Sequence, residues 1–190
     1  MLKHLRPALV LLVLFTLLTG IVYPFAITGI GQVLFRNQAE GSPITRDGAV
    51  IGSKLIGQRF SQPAYFWGRP SAAGNGYDAR ASAGSNFGPS SKALADRIKA
   101  EAERLGRPSR EIPTDLLTTS GSGLDPHISP AAARFQARRV AEARGLSEAT
   151  ISQLVEAHVE KPAIGFIGES RVNVLELNLA LDALSRTTLP

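Results

Sequence analysis

The apolar positions of the chain are concentrated near its N-terminus. No charged residue occurs at the 29 positions between Arg6 and Arg36, and Leu and Val make up most of the run at 8–18. About 20 apolar residues suffice to cross the hydrocarbon core of a bilayer. The pattern therefore predicts one transmembrane anchor helix at 8–35, which Pro24 should kink or end because proline removes a backbone donor and clashes with the preceding turn.

A cleaved signal peptide is the alternative for this segment. Its apolar region is typically about 7 to 15 residues long and ends at a cleavage pattern of small residues. Here the apolar sequence continues past Leu18 as TGIVYPFAITGIGQVLF, without such a pattern. An anchor that stays attached is therefore the preferred interpretation.

The charges on either side of the apolar run predict its orientation. Two basic residues and a histidine lie in the first six positions, whereas only Arg36 separates the run from Glu40. Because flanks rich in Lys and Arg remain cytoplasmic, we expect a short cytoplasmic N-terminus at 1–7 and an extracytoplasmic domain at 36–190. In a bacterium this describes a single-pass protein of the cell inner membrane, with a periplasmic main domain and with membrane lipid around the helix.

Beyond the apolar run, the periodicity predicts a mixture of helices and short strands. Leu94, Ile98 and Leu105 recur at helical spacing, and Ser129 and Ser147 are typical N-cap residues in front of helical patterns. The predicted helices lie at 89–105, from 130 to about 145, from 148 to about 158 and at 172–184, and the predicted strands lie at 49–51, 55–56 and 163–168. The expected fold class is α+β: one N-terminal transmembrane helix followed by a single mixed helix/strand domain.

Composition and charge exclude several classes of function. The 190 residues include no cysteine, which excludes disulfides, thiolate metal sites and cysteine nucleophiles. Lys and Arg exceed Asp and Glu by 21 to 16, but without the two basic residues of the N-terminus the balance at 36–190 is 19 to 16, a net charge of +3. A charge this small over that length argues against a nucleic-acid partner.

A long irregular segment at 68–91 is a candidate binding surface. Seven of its 24 residues are Gly or Pro, and it has neither a helical nor a strand period. Six of the twelve aromatic residues of the chain fall between Phe60 and Phe87. These rings either pin the loop to the domain by burying large areas or form a protein–protein surface, in which Trp, Tyr and Arg are enriched.

The segment TTSGSGLDPHISP most resembles a catalytic site. Ser120, Ser122, Asp125 and His127 invite a hydrolase interpretation, but the G-x-S-x-G pattern is missing. One alternative is a structured entry to a helix, in which Asp125 makes a turn and Ser129 caps the helix. The other is a partner-binding loop. We therefore assign no catalytic residue here.

The helix predicted after Ser129 is basic. Its arginines are Arg134, Arg138, Arg139 and Arg144. A solvated or salt-bridged face is the default interpretation, and docking on an acidic partner or on lipid headgroups is the alternative. The histidines beyond the anchor, His127 and His158, lack an H-E-x-x-H pattern, so no metal site is predicted.

Four sequence blocks carry a family resemblance. They are YFWGRPSA at 65–72, GSNFGPSS at 84–91, DLLTTSGSGLDPHISPAAA at 115–133 and RVNVLELNLALD at 171–182. In this order they resemble the C subunit of the bacterial Kdp-type potassium-transporting ATPases, which are P-type ATPase complexes. The resemblance extends from about Leu9 to Leu184 and includes the Tyr-Pro pair in the second half of the apolar run.

The resemblance implies a non-catalytic accessory subunit of an ATP-driven, high-affinity potassium uptake complex. The implied partners are a channel-like A subunit that selects potassium, a P-type B subunit that hydrolyses ATP and a small F subunit. The family is described as a catalytic chaperone that raises the affinity of the B subunit for ATP. In this description ATP is bound through the B subunit, so no cofactor is assigned to this chain itself. Because ATP is cytoplasmic, the predicted topology favours a structural or regulatory role at the outer mouth of the A subunit, with any effect on ATP affinity transmitted through the membrane subunits.

Two sets of residues are expected to make the contacts. The exported domain is expected to dock on a partner subunit through Trp67, Arg69, Asn86, Asp125 and His127. In the anchor, the residues small enough to let helices approach closely are Gly20, Gly29 and Gly31.

Two rival functions remain open from the residues alone. The first is a membrane-anchored periplasmic hydrolase that uses Ser122, Asp125 and His127. The second is a binding module, either through the Ser120 to Ser129 loop or, for anionic lipid or cell-wall polymer, through the arginine-rich helix.

Overall fold

The computed structural model describes residues 2–162, 165 and 167–187. The chain divides into two compact units, Met1–Ile51 and Gly52–Pro190. The segment boundaries predicted at 7/8 and at 35/36 stay predictions. Half of the strand predicted at 163–168 lies outside the described residues, namely positions 163, 164 and 166.

The first unit contains a continuous apolar helix from Leu5 to Leu34. It consists of α1 (Leu5–Leu17), a π-helical turn (Leu18–Val22) and α2 (Tyr23–Leu34). Pro24 therefore does not end the helix. In the π-turn the Tyr23 N–H bonds to the Leu18 carbonyl five residues back, and this wider turn carries the chain past a residue that has no N–H to donate.

A short helix and a hairpin follow the long helix. They are α3 (Arg36–Ala39), β1 (Pro43–Arg46) and β2 (Ala49–Ser53), and the two strands form a two-stranded sheet. Asp47 and Gly48 between them have φ of 52° and 78°, the conformation that a tight hairpin turn requires and that Asp-Gly favours. The strand predicted at 49–51 is confirmed and extends to Ser53, and it pairs with a strand at 43–46 that the sequence did not predict. The strand predicted at 55–56 is wrong, because Ile56 makes only an isolated bridge with Ser53.

The described residues of the second unit form four α-helices and a small sheet. The helices are α4 (Lys92–Leu105), α5 (Pro130–Arg144), α6 (Glu148–Ala157) and α7 (Val174–Thr187), and α6 packs on both α5 and α7. The strands β3 (His127–Ile128) and β4 (Val172–Asn173) pair antiparallel, with His127 opposite Asn173. The mixed helix/strand architecture expected from the sequence is confirmed. The last helix was predicted to start at residue 172, but it starts at Val174, because residues 172–173 form the strand β4.

Local capping chemistry sets the ends of these helices. The hydroxyls of Ser129 and Ser147 accept hydrogen bonds from the first turns of α5 and α6. Gly106 and Gly145 end α4 and α5 at φ of 66° and 65°, a left-handed conformation that residues with a Cβ adopt at a cost. The predicted starts of α5 and α6 are confirmed, whereas α4 begins at Lys92, three residues later than predicted.

Two buried amide side chains hold an irregular segment against the helices. Asn178 of α7 accepts a hydrogen bond from the Phe66 N–H at 2.9 Å and donates to the Phe66 carbonyl at 3.0 Å. Gln136 of α5 does the same for Trp67, at 2.8 and 3.0 Å. Gln136 and Asn178 are 1% and 2% exposed. Each amide therefore replaces the strand that would otherwise satisfy this stretch of buried backbone.

The substitution Asn178→Ala should destabilise the fold strongly. It leaves the buried N–H and C=O of Phe66 without partners, and an unsatisfied buried polar group costs about 1 to 3 kcal/mol. We expect the free energy of unfolding to fall by about 2 to 4 kcal/mol, as measured by urea denaturation of the full-length protein in detergent. Asn37→Ala, at an exposed position of α3, is the control and should stay within about 0.5 kcal/mol. Equal stability of the two variants would contradict this role of Asn178.

Candidate functional site

Trp67 lies inside the second unit and not on its surface. The residue is 9% exposed, and its indole N–H donates to the Gln62 carbonyl at 3.0 Å. The guanidinium carbons of Arg139 and Arg104 lie 3.8 and 4.4 Å from the centre of its ring. These are cation–π contacts, so Trp67 positions two cations while its own side chain has little surface to offer a partner.

Arg69 joins the loop before β3 to residues 60–77, which contain five aromatic side chains and are called the aromatic segment from here on. Its guanidinium donates to the carbonyls of Thr118 and Thr119 and to Asp125 Oδ2, at 3.4, 3.1 and 3.4 Å. Its own carbonyl accepts the Tyr77 hydroxyl at 2.6 Å. Burial, together with the charge of Asp125, raises the pKa of Tyr77 to about 12 against the opposing charges of nearby arginines. Tyr77 is thus a neutral hydrogen-bond donor at physiological pH.

Asp125 joins Arg69 to His127. Its Oδ1 accepts the His127 backbone N–H at 3.0 Å and lies 3.3 Å from His127 Nδ1. Burial alone would raise the pKa of Asp125, but the hydrogen bonds from His127 and the positive charges of His127 and Arg69 outweigh it and lower the pKa below its usual value. The side chains of Arg69, Asp125 and His127 are 24%, 30% and 20% exposed. They form one connected, half-buried cluster.

Asn86 stands apart from that cluster. It is exposed, and its φ of 53° is left-handed, a conformation that Asn tolerates better than most residues. In the described part of the chain, no hydrogen bond or ion pair joins it to Arg69, Asp125 or His127. The structure thus brings four of the five predicted docking residues into one region, and Asn86 is the most accessible of the set.

The serines of the predicted catalytic segment form a tight turn. Ser120 Oγ accepts the Gly123 N–H at 2.9 Å, and Ser122 Oγ accepts the Leu124 N–H at 3.1 Å. Among the described residues, neither hydroxyl is hydrogen-bonded to His127. A serine nucleophile needs its base within hydrogen-bond reach, so these contacts favour the structural interpretation over the hydrolase.

The same turn packs closely against the irregular segment at 71–83. Ser71 Oγ donates to the Gly123 carbonyl at 2.6 Å, and the Ala83 N–H donates to the Ser122 carbonyl at 2.9 Å. A Cβ at Gly123 would lie 2.8 Å from the Ala73 nitrogen, and its φ is 68°. Glycine is therefore required here for backbone conformation and for close approach.

The arginines of α5 are already engaged within the chain. Arg134 pairs with Glu156 at 2.6 Å and Arg138 with Glu142 at 2.8 Å, both on the surface. Arg144 pairs with Asp182 at 2.9 Å. Arg139 donates to the carbonyls of Pro63 and Tyr65. The salt-bridged face expected for this helix is confirmed. Arg139 and Arg144 also bind the aromatic segment, which the sequence did not indicate.

Asp115 is a site residue that sequence reasoning missed. Its carboxylate accepts the Ser129 N–H at 2.7 Å and the Ser129 hydroxyl at 3.2 Å, so it fixes the N-cap of α5. The only sequence signal is a carboxylate 14 residues before a capping serine, a separation that no local rule identifies. Across the described residues, no group of three or more His, Asp or Glu side chains is arranged to hold a metal ion.

The three glycines of the apolar helix do not share one face. Gly29 and Gly31 lie two residues apart in α2, which places them about 200° apart around the axis. Gly20 lies in the π-turn, and a Cβ at Gly20 or Gly29 would meet nothing within 4 Å. Helix packing at these glycines stays a prediction, and one partner helix can use Gly29 or Gly31 but not both.

Comparison with known proteins decides the family. A family model described as "K+-transporting ATPase, c chain" matches residues 5–183. The chain belongs to the KdpC family. The resemblance carried by the four sequence blocks is thereby confirmed, and the match covers nearly the whole chain.

Curated KdpC relatives cover the chain almost completely. The potassium-transporting ATPase KdpC subunit of Caulobacter vibrioides is 60% identical over 186 residues, which are 96% of this chain and 94% of that protein. The KdpC subunit of Gemmatimonas aurantiaca is 57% identical over 99% of this chain and 96% of its own length. The KdpC subunit of Methylococcus capsulatus is 54% identical over 97% of this chain and 100% of its own length.

Acid should reveal the role of Asp125. Because its folded-state pKa is lowered, the stability it contributes is present above the ordinary carboxyl pKa and is lost as the pH falls through the folded-state value. Asp125→Asn should lower the free energy of unfolding by about 1 to 3 kcal/mol at pH 7 and should reduce its fall between pH 5 and pH 3. The measurement is urea denaturation across this pH range.

Asp96→Asn is the matched control for this measurement. Asp96 lies on α4 with a side chain 60% exposed, and its one ion pair among the described residues is with Lys92 on the same helix. This variant should keep both the stability and the acid dependence of the parent protein. The role assigned to Asp125 would be refuted by an acid dependence that is the same in Asp125→Asn as in the parent.

Proposed function

We propose that this chain is the KdpC-type accessory subunit of a potassium-transporting ATPase, non-catalytic itself and anchored by its N-terminal helix in the cell inner membrane. The observation that carries the proposal is the family match over residues 5–183. It is supported by relatives named potassium-transporting ATPase KdpC subunit that match over 94% and 96% of their own length. The partners are the channel-like A, P-type B and small F subunits.

The surface of the apolar helix supports the membrane anchor. Leu5–Leu34 is 30 residues long, has a mean hydropathy of 2.4 over its most apolar window and is not buried within the protein. Large apolar side chains are exposed all around it, among them Leu12, Phe15 and Phe25. A helix that is apolar on every face is stable only when lipid or other helices surround it. The basic residues that precede the helix support a cytoplasmic N-terminus.

The cluster around Arg69 supports a binding role over catalysis. The turn that precedes β3 is fixed by hydrogen bonds of Arg69, Asp125 and Ser122. A rigid turn of this kind presents a defined surface without reorganisation on binding, which lowers the entropic cost of association. We assign docking to the surface that runs from this turn to Asn86.

Any effect of the subunit on the ATP affinity of the B subunit is indirect in this scheme. A domain on the outer side of the membrane cannot contact cytoplasmic ATP. It can favour a state of the complex that binds ATP more tightly only by binding that state better itself. Coupling energies between distant sites are typically about 1 to 3 kcal/mol, or about 5- to 150-fold in affinity.

Affinity purification of the full-length chain from potassium-starved cells tests the complex. In mild detergent we expect a P-type ATPase and a channel-like membrane subunit to co-elute, with potassium-stimulated ATP hydrolysis in the same eluate. Deleting residues 1–35 should reduce recovery of both about tenfold or more, because the helix contributes its own packing surface. An eluate of the full-length chain without partners would overturn the proposed function.

Asn86→Gly tests the docking surface separately. Glycine removes the side chain but accepts the left-handed backbone of Asn86, so loss of binding would not reflect backbone strain. Partner recovery should fall by about fivefold or more if Asn86 is an interface anchor. Arg80→Gln is the control, since Arg80 lies in the same irregular segment with a side chain 92% exposed. Equal recovery with both variants would refute docking at Asn86 while leaving the family assignment intact.

A further inference from the structure

A cavity of about 400 Å³ lies between the aromatic segment and α4. One wall is formed by parts of 59–61, 67–71 and Tyr77, and the other by residues of α4. The volume falls within the range of small-molecule sites, which is about 300 to 1,000 Å³. None of the roles assigned above uses this space.

Four arginines line the cavity against a single carboxylate. They are Arg59, Arg69, Arg97 and Arg104, and the carboxylate is Glu101. Asp125, the partner of Arg69, adds a second negative charge nearby. Four positive and two negative charges leave a net charge of +2 at this site.

Three of the four arginines have partners. Arg59 donates to the Asn75 carbonyl at 2.8 Å, and Arg104 donates to Glu101 at 2.7 Å. Arg69 is held by Asp125 and two carbonyls. Within the described part of the chain, Arg59 donates to a carbonyl and pairs with no carboxylate, so its positive charge remains available to a ligand.

The fourth arginine, Arg97, has a buried hydrogen-bond donor without an acceptor among the described residues. Its guanidinium lies 4.9 Å from the centre of the Phe87 ring. Its Nη1 is buried and has no hydrogen-bond partner among the described residues. A buried charged donor without an acceptor is costly. Because Arg97 also lines the cavity, a rotation of its guanidinium would bring this donor to an anion held there.

Repulsion beside the cavity points to the same missing charge. Arg104 lines the cavity, and both Arg104 and Arg139 lie over the ring of Trp67. Burial, followed by the positive charge of Arg104, lowers the pKa of Arg139 to about 10. The region therefore holds more positive charge than its own carboxylates compensate.

The net charge selects the kind of anion. One carboxylate carries a single negative charge and is satisfied by one bidentate arginine. A phosphate group is a dianion near neutral pH and offers several acceptor oxygens to several guanidinium groups. We propose that the cavity between residues 59–77 and α4 binds a phosphate dianion, with Arg97 and Arg59 as its principal ligands. The group is either inorganic phosphate or the phosphate of a small monoester.

The proposal does not rest on partner docking, because every group it uses belongs to this chain. Equilibrium dialysis of the full-length protein in detergent against radiolabelled inorganic phosphate, with chloride holding the ionic strength constant, tests it directly. We expect one saturable site with a dissociation constant below about 1 mM. Arg97→Met should weaken binding by at least about tenfold, and Arg59→Gln should weaken it in the same direction.

Two controls separate binding from folding. Arg80→Gln, outside the cavity, should keep the affinity within about twofold. Without phosphate, Arg97→Met should be as resistant to thermal unfolding as the parent, or more so, because it removes an unpaired buried donor and keeps an apolar stem. Absence of saturable binding in the parent, or equal loss of affinity in Arg80→Gln and Arg97→Met, would overturn the proposal.

Competition identifies the source of the phosphate group. Unlabelled glycerol 3-phosphate that displaces the label at concentrations similar to those of inorganic phosphate would identify a monoester site. Displacement by inorganic phosphate alone would identify a site for the free ion. Both results support a phosphate dianion as the ligand, whereas equally effective displacement by acetate, a monoanion, would refute it.

Discussion

The second unit depends on hydrogen bonds between two buried amide side chains and the backbone of Phe66 and Trp67. The amides of Asn178 and Gln136 come from α7 and α5, and each satisfies both polar groups of one loop residue. Buried backbone without partners is unstable, so without these amides the aromatic segment would have to lie at the surface. With them, an irregular stretch is fixed as firmly as an inner strand.

The positions of the other site residues follow from that attachment. Once Trp67 is fixed, Arg69 lies two residues further on and binds the turn at 118–125. That turn leads into β3, whose pairing with β4 ties it to the start of α7. The chain of contacts thus closes on the helix that carries Asn178, and the charged cavity is formed where the fixed segment meets α4.

Sequence reasoning succeeded where the determining interaction is local. The caps of α5 and α6 and the apolar helix all depend on residues a few positions apart. It failed for the role of Gln136, because an amide 69 residues from its partner resembles any polar helix residue. Of the two effects predicted for Pro24, a kink or an end, the helix end is wrong for a different reason: a π-helical turn satisfies the backbone around the proline, and no composition rule signals such a turn.

The two units solve the problem of burial in different ways. The α4–α7 unit covers its own core, with Val140, Val155 and Leu177 fully buried, and leaves its excess charge on arginines that surround a cavity. The long apolar helix buries none of its side chains within the protein, and in the proposed complex lipid or the helices of other subunits would cover them. In that proposal the helix contributes affinity for the membrane complex and the folded unit contributes selectivity, since apolar packing discriminates weakly among helices whereas fixed charges and hydrogen bonds discriminate strongly.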